Sequence, residues 1–150
     1  MTFDNEEQLK KFILKKCEKA VDGAKRRVHA EFAGNLNQFY MEYSPEYYIR
    51  TGELFNSLDS TDATRADNGA WAEVYFNTPS YQNGDVLLQD GSFGYANWSG
   101  EKVLYVALKG VMPHGGWAGG TEIWTDTMES LGERDGIKNI LKEELKKQGL

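Results

Sequence analysis

Few residues in this chain are of the kinds that perform catalysis or bind metals. The 150 residues include one cysteine, Cys17, and two histidines, His29 and His114. Cys17 lies on the apolar face of a predicted helix, where burial keeps a thiol inert, and neither histidine has an evident catalytic neighbour in the sequence. The Cys and His spacings of zinc sites are missing, as are phosphate-binding and nucleophile-elbow motifs. The sequence therefore predicts a protein that is not an enzyme and has no metal or cofactor.

Three carboxylates leave an enzymatic alternative open. Asp85, Asp90 and Glu101 lie in an acidic segment that also contains Tyr95 and Trp98. Glycoside hydrolysis requires a pair of carboxylates at a defined separation, with an aromatic platform for the sugar as a common addition. The sequence does not fix that separation. A carbohydrate-active enzyme therefore stays an alternative, which glycan-cleavage assays on variants of the three carboxylates would test.

The aromatic residues indicate protein–protein contact. Tyr and Trp are enriched at interfaces, because the apolar ring meets the partner while the polar tip finds a hydrogen bond. Several lie in two long predicted loops, residues 79–100 and 112–120, that are rich in glycine and polar residues. We expect these loops to protrude and, in an assembly, to contact other subunits or a different protein. The candidate interface residues in them are Tyr81, Phe93, Tyr95, Trp98 and Trp117.

Charge is distributed unevenly along the chain, whose net charge is −6. Residues 8–30 carry eight Lys or Arg against two acids, whereas residues 31–132 carry fourteen acids against four bases. A solvated helix face is the simpler interpretation of this split. The functional interpretation is head-to-tail pairing between copies of the protein, or contact with a nucleic acid or an acidic partner. The candidate basic surface consists of Lys15, Lys19, Arg26 and Arg27. The overall acidity makes nucleic-acid contact at most incidental, and no apolar run is long enough to predict a membrane span.

A long N-terminal helix is the clearest predicted element. Apolar residues recur every three or four positions through residues 9–39. The pattern predicts a helix from Asn5 to at least Ala33, with Asp4 as its N-cap and a bend or end at Gly34-Asn35 unless the helix resumes. A helix of 30 residues is about 45 Å long. It should therefore project beyond its own core or pack against a neighbour.

Strands and two shorter helices are predicted after the long helix. A polar strand over 58–66 and a strand over 70–78 flank the Asp67-Asn68-Gly69 turn, which predicts a hairpin. Residues 101–110 predict a further apolar strand. In the second hairpin strand, we assign Ala72, Val74 and Phe76 to one face and Trp71, Glu73 and Tyr75 to the other.

The C-terminal residues predict two amphipathic helices with separate caps. Thr121 caps the first helix and Asp135 the second. The predicted apolar face of the first contains Ile123, Trp124, Thr127, Met128 and Leu131, and that of the second contains Ile137, Ile140, Leu141 and Leu145. Residues 1–150 are therefore predicted to form a single α+β domain, with a long N-terminal helix, a small antiparallel sheet with long loops, and C-terminal helices.

One string of ten residues carries a family resemblance. Tyr48-Ile49-Arg50-Thr51-Gly52-Glu53-Leu54-Phe55-Asn56-Ser57 resembles the Tyr-x-Arg-Thr-Gly-x-Leu-x-x-Ser signature of tail-completion, head–tail joining or neck proteins, which are minor structural proteins of long-tailed bacteriophages. The layout of the chain is also similar, except that residues 113–120 replace the Pro-rich segment that often precedes the family's last helix. The motif residues are Tyr48, Arg50, Thr51, Gly52, Leu54 and Ser57.

The motif makes physical sense as a structural turn. Gly52 lets the chain turn sharply, and Thr51 and Ser57 can cap backbone groups. Arg50 can bridge to a carboxylate or to a C-terminal carbonyl, while Leu54 and Leu58 start the buried face of the sheet.

The resemblance implies a non-enzymatic virion protein of a tailed phage or prophage, assembled in the host cytoplasm. Such a protein forms a ring at the head–tail interface. Its partners would be copies of itself, connector or head-closure proteins, and tail-tube or tail-terminator proteins, with no membrane. A small inhibitor or regulatory protein that binds a host target is the other alternative, and measurement of the assembled mass would separate the two.

Overall fold

A mixed α+β architecture is present in the computed structural model, which describes residues 5–42, 53–77, 86–87, 93–94 and 123–150. This confirms the predicted fold class. The helices are α1 (Glu6–Glu42), α2 (Glu53–Asn56), α3 (Ile123–Ser130) and α4 (Glu133–Lys147). The strands are β1 (Leu58–Ser60), β2 (Thr64–Ala66), β3 (Gly69–Trp71), β4 (Val74–Phe76), β5 (Val86–Leu87) and β6 (Phe93–Gly94).

The predicted long helix is confirmed, and it extends further than expected. Asn5 rather than Asp4 supplies the observed cap, since Gln8 donates its backbone N–H to Asn5 Oδ1 at 2.9 Å. Asp4 lies outside the described residues. The helix runs through Gly34, because Leu36, two residues further on, is fully buried in the core. Its 37 residues correspond to about 55 Å.

The predicted hairpin is confirmed with an irregularity inside it. The β1–β4 pair (Leu58↔Phe76) and the β2–β3 pair (Thr64↔Trp71) are antiparallel. Their registers differ by one position, so the three residues 61–63 lie opposite only two, which is a β-bulge. Thr61 N–H donates to the Glu73 carbonyl at 3.0 Å, and Glu73 N–H donates to Thr61 Oγ1 at 2.9 Å. The bulge divides each predicted strand into two short ones.

The two faces of the hairpin agree with the prediction. Ala72, Val74 and Phe76 are half-buried, while Trp71, Glu73 and Tyr75 are exposed. The segment predicted as a loop over 79–100 contains a short antiparallel pair, in which β5 and β6 are joined through Val86↔Gly94 and Leu87↔Phe93. The prediction of a loop is therefore wrong at residues 86–87 and 93–94. The predicted strand over 101–110 and the loop over 112–120 lie outside the described residues.

The core lies along α1, where two apolar clusters follow each other. The first contains Phe32, Leu36, Leu54 and Ile123, and Phe32 makes an edge-to-face contact with Phe76 at 5.8 Å between ring centroids. The second contains Ala24, Leu131 and Ile140. One helix therefore joins the hairpin, α2 and the C-terminal helices into a common core.

The C-terminal helices differ in detail from the prediction. Ile123 and Thr127 are buried as expected, but Trp124 is 44 % exposed. Helix α4 begins two residues before Asp135 and follows Gly132, so the cap assigned to Asp135 is wrong; Thr121 lies outside the described residues.

The face assigned to Ile137 is also wrong, since that side chain is 45 % exposed. The buried row of α4 is Gly136, Ile140 and Glu144. An apolar-periodicity argument misses it because two of its three members are not apolar.

Candidate protein interface

The titratable residues do not assemble into a reactive cluster in the part of the chain that the structure describes. Cys17 is half-buried in α1, and no three His, Cys, Asp or Glu side chains of the described ranges are grouped to hold a metal ion. His114 and the carboxylates Asp85, Asp90 and Glu101 lie outside those ranges. None of the described helices is both long and apolar enough to cross a bilayer.

The four candidate basic residues of α1 have different environments. Lys15 and Lys19 are exposed and form no ion pair within the described residues. Arg26 is exposed and pairs with Asp22, one turn earlier on the helix. Arg27 instead reaches α4, where its Nη1 lies 2.6 Å from Glu143 Oε2 and 3.6 Å from Glu144 Oε1. Lys15 and Lys19 are therefore the pair whose charge is open to a partner.

Lys15 and Lys19 line a shallow groove of about 320 Å³ between α1 and the β-bulge. Its other lining residues are Glu18, Asp22, Asp62 and Ala63. Lys25 Nζ lies 2.9 Å from Asp22 Oδ1 and 3.9 Å from Asp62 Oδ1, and its hydrogen bond is the main cause of the lowered pKa of Asp22. Arg65 of β2 pairs with Glu18. These ion pairs attach the hairpin to the helix beside the groove.

The outward face of the hairpin combines acidic and aromatic side chains. Asp59 lies directly opposite Tyr75 in the β1–β4 pair, and the Tyr75 hydroxyl donates to Asp59 Oδ2 at 3.3 Å. The charge of Asp59 is the largest cause of the raised pKa of Tyr75, and Glu73 adds to it. Trp71 is 48 % exposed and Tyr75 39 %. We call Asp59, Trp71, Glu73 and Tyr75 the acidic hairpin face.

The candidate interface aromatics predicted from the sequence lie in the loops, and the prediction omits Trp71 and Tyr75, which are exposed on the hairpin. The signal was available, because the alternation in residues 70–78 sets these rings on the face opposite Phe76. Of the loop candidates, Tyr81, Tyr95, Trp98 and Trp117 lie outside the described residues. Phe93 is in β6, and its side chain is not among those described.

Leu54 and Ser57 are the motif residues that the structure describes. Leu54 is buried in the first core cluster, but it lies in α2, so its predicted place at the start of the sheet is wrong. Ser57 is 1 % exposed, and its hydroxyl donates to the Leu54 carbonyl at 2.7 Å, which caps a carbonyl of α2 as the motif suggests. Tyr48, Arg50, Thr51 and Gly52 lie outside the described residues.

A buried carboxylate joins α1 to α4 and was not expected. Glu144 is 7 % exposed, and its Oε1 accepts a hydrogen bond from Lys147 Nζ at 2.6 Å. Its carboxylate lies over Gly23, where an added Cβ would be 2.5 Å from Glu144 Oε2. The absence of a side chain at residue 23 therefore makes room for an acid between the two helices.

A long helix carrying an acidic hairpin and a closing pair of helices defines a mixed α+β protein with charged, aromatic surfaces for contact. The chain belongs to the YomN family, whose model matches residues 5–147. This family is phage-derived, and the chain is accordingly a phage protein. Neither a curated protein nor a solved structure matches it.

Proposed function

We propose that this phage protein is a non-enzymatic structural component of the virion that forms a ring at the head–tail interface. The phage origin of the chain rests on its membership of a phage-derived family, whose model matches residues 5–147. The resemblance of residues 48–57 to the tail-completion and neck signature supports the finer role. The role of Ser57 and Leu54 as a buried structural turn is consistent with a motif that shapes a scaffold.

The surface of α1 supports assembly on physical grounds. Residues 5–11 are all exposed, and the apolar side chains of Leu9 and Ile13 are 39 % and 38 % exposed although they continue the face of buried Ala20. An apolar face that continues past its own core is suited to a neighbouring subunit. The first turns of α1 are therefore available for contacts in a larger assembly.

The proposed ring consists of copies of this chain between the connector or head-closure protein and the tail-tube or tail-terminator protein. Its place in the infected cell is the cytoplasm during assembly and the virion afterwards. It needs no cofactor, since its role is to occupy a position and to present surfaces to both neighbours.

Deletion of the gene from the phage genome tests the proposal. Electron microscopy of the lysate should show filled heads and complete tails that are not joined, and expression of the chain in trans should restore infectious particles. A deletion that leaves the yield of joined, infectious particles unchanged would contradict the proposal. An effect confined to host growth would instead indicate an inhibitor of a host target.

A further inference from the structure

We propose that the acidic hairpin face of one protomer docks on the Lys15–Lys19 groove of a second copy of this chain. The inference rests on the proposed ring and identifies the contact that repeats around it. Both surfaces belong to the described part of the chain, and they are formed by different elements.

The charges of the two surfaces are complementary. The hairpin residues 57–77 include four acids and one base, Arg65. Three carboxylates also line the groove, namely Glu18, Asp22 and Asp62, and they lie within ion-pair distance of Arg65 or Lys25. Asp59 and Glu73 form no ion pair within the described residues, and neither do Lys15 and Lys19. Opposite charges that stay unpaired inside one protomer can pair between protomers, where they set orientation and register.

The spacing of the charges is compatible with simultaneous pairing. Lys15 and Lys19 are one helical turn apart, which places their Cβ atoms about 6 Å from each other. Asp59 lies opposite Tyr75, and Glu73 lies two positions before Tyr75, just outside β4 at the β-bulge. Diagonal neighbours of this kind are about 7–8 Å apart across an antiparallel pair. Two carboxylates can therefore meet two flexible ammonium groups.

The aromatic residues supply the apolar part of the contact. Trp71 and Tyr75 are exposed beside the carboxylates, and the groove of about 320 Å³ can accept an aromatic side chain. A lysine over an aromatic ring is a favourable pair, and α1 already contains one, with Lys16 Nζ 4.7 Å from the centroid of Phe12. Tyr and Trp are common anchors of protein interfaces.

The contact joins two different surfaces, so it can repeat head-to-tail. When each copy's hairpin lies in the groove of the next copy, repetition gives a ring or a filament, whereas the reciprocal arrangement of two copies closes as a two-fold dimer. Phe76 of the hairpin packs against Phe32 of α1 in the core, and Arg65 of the hairpin pairs with Glu18 of α1. The two docking surfaces therefore keep a fixed relation, as a constant rotation from one subunit to the next requires.

Charge reversal on each surface gives a direct test. One variant carries Lys15→Glu and Lys19→Glu, and the other carries Asp59→Lys and Glu73→Lys. Each variant alone faces like charges at every contact and should lose at least tenfold in self-association. An equimolar mixture should regain it, because alternating subunits place opposite charges at both kinds of junction. Sedimentation velocity of the full-length chains measures this.

Two controls separate folding and general charge from the docking contact. Circular dichroism and a thermal melt should show that both variants fold, as exposed substitutions on one helix and one hairpin allow. Lys142→Glu with Lys146→Glu reverses two exposed lysines at the same spacing on α4 and should leave self-association unchanged.

The outcomes distinguish this contact from the proposed function. Three results would overturn the contact. Either variant could self-associate as well as the wild type, the mixture could fail to recover self-association, or the wild-type chain could stay monomeric at millimolar concentration. If heads and tails remain unjoined in the gene deletion, the ring function stands without it. If the mixture recovers but the deletion has no effect on particles, the contact stands and the ring function fails.

Discussion

Replacement of Gly136 by alanine should destabilise the turn between α3 and α4. A Cβ at residue 136 would lie 1.7 Å from the Leu131 carbonyl oxygen and 2.4 Å from its carbon. These are backbone atoms, so no rotamer change relieves the clash. The turn is already constrained, because Gly132 has φ of 90° and Glu133 has φ of 58°. Relief must move Leu131, which is buried against Ala24 and Ile140.

The expected magnitude follows from two opposing terms. Alanine gains about 1 kcal/mol over glycine inside a helix, whereas overpacking costs about 1–3 kcal/mol and occasionally more. The distance to the backbone favours the upper end, so we expect a net loss of about 2 kcal/mol. In a chain of this size 1 kcal/mol changes Tm by about 2–4 °C. The expected decrease is therefore about 4–8 °C.

Gly34 provides a matched control in α1. It is exposed, and a Cβ there would meet nothing within 4 Å. Gly34→Ala should therefore raise Tm by about 2–4 °C through helix propensity alone. Thermal melts of both variants by circular dichroism measure the two effects. A Gly136→Ala variant as stable as wild type, beside a stabilised Gly34→Ala variant, would refute the geometry assigned to this turn.

Three further predictions concern other contacts of α1. The fully buried Thr127 hydroxyl accepts a hydrogen bond from Asn35 Nδ2 at 3.0 Å and donates one to the Ile123 carbonyl at 2.6 Å. Thr127→Val removes both hydrogen bonds and should therefore lower the free energy of unfolding in urea by about 1–3 kcal/mol, whereas Thr127→Ser should stay near the wild-type value. The hydrogen bond from Arg27 lowers the pKa of Glu143 below its usual 4.5. The stabilisation from this ion pair is therefore present above pH 4.5 and is lost as the pH falls through the lowered pKa of Glu143. Between pH 5 and pH 3, Tm of the Arg27→Gln variant should fall less steeply than Tm of the wild type. Phe12 is half-buried, so Phe12→Asp should lower Tm of the protein, whereas Lys15→Asp at an exposed position should change Tm little. Equal changes of Tm in the two variants would contradict the assignment of Phe12 to the buried face of α1.

The elements that the sequence predicts well are those with a strong local pattern. Unbroken apolar periodicity specifies α1, and the continued phase at Leu36 and Phe39 explains why Gly34 does not end it. The turn residues and the alternation in residues 70–78 specify the hairpin and its faces. The β-bulge at 61–63 escapes prediction because one extra residue in a polar stretch leaves no change in pattern.

Contacts between distant elements were beyond the reach of local patterns. Arg27 and Glu143 are 116 positions apart, so the basic run gave no sign that one of its members is paired inside the chain. Glu144 and Gly136 lie in the buried row of α4 because Gly23 and the backbone of Leu131 are their neighbours. Lys15 and Lys19 stay the open cations of the predicted basic surface, while Trp71 and Tyr75 are the aromatics that the prediction missed.

The copy number of the chain in purified virions tests its proposed structural role most directly. Quantitative mass spectrometry of particles purified by density gradient should find several copies per virion, in a constant ratio to the connector protein. A chain that is abundant in the lysate but missing from purified, infectious virions would contradict the proposal.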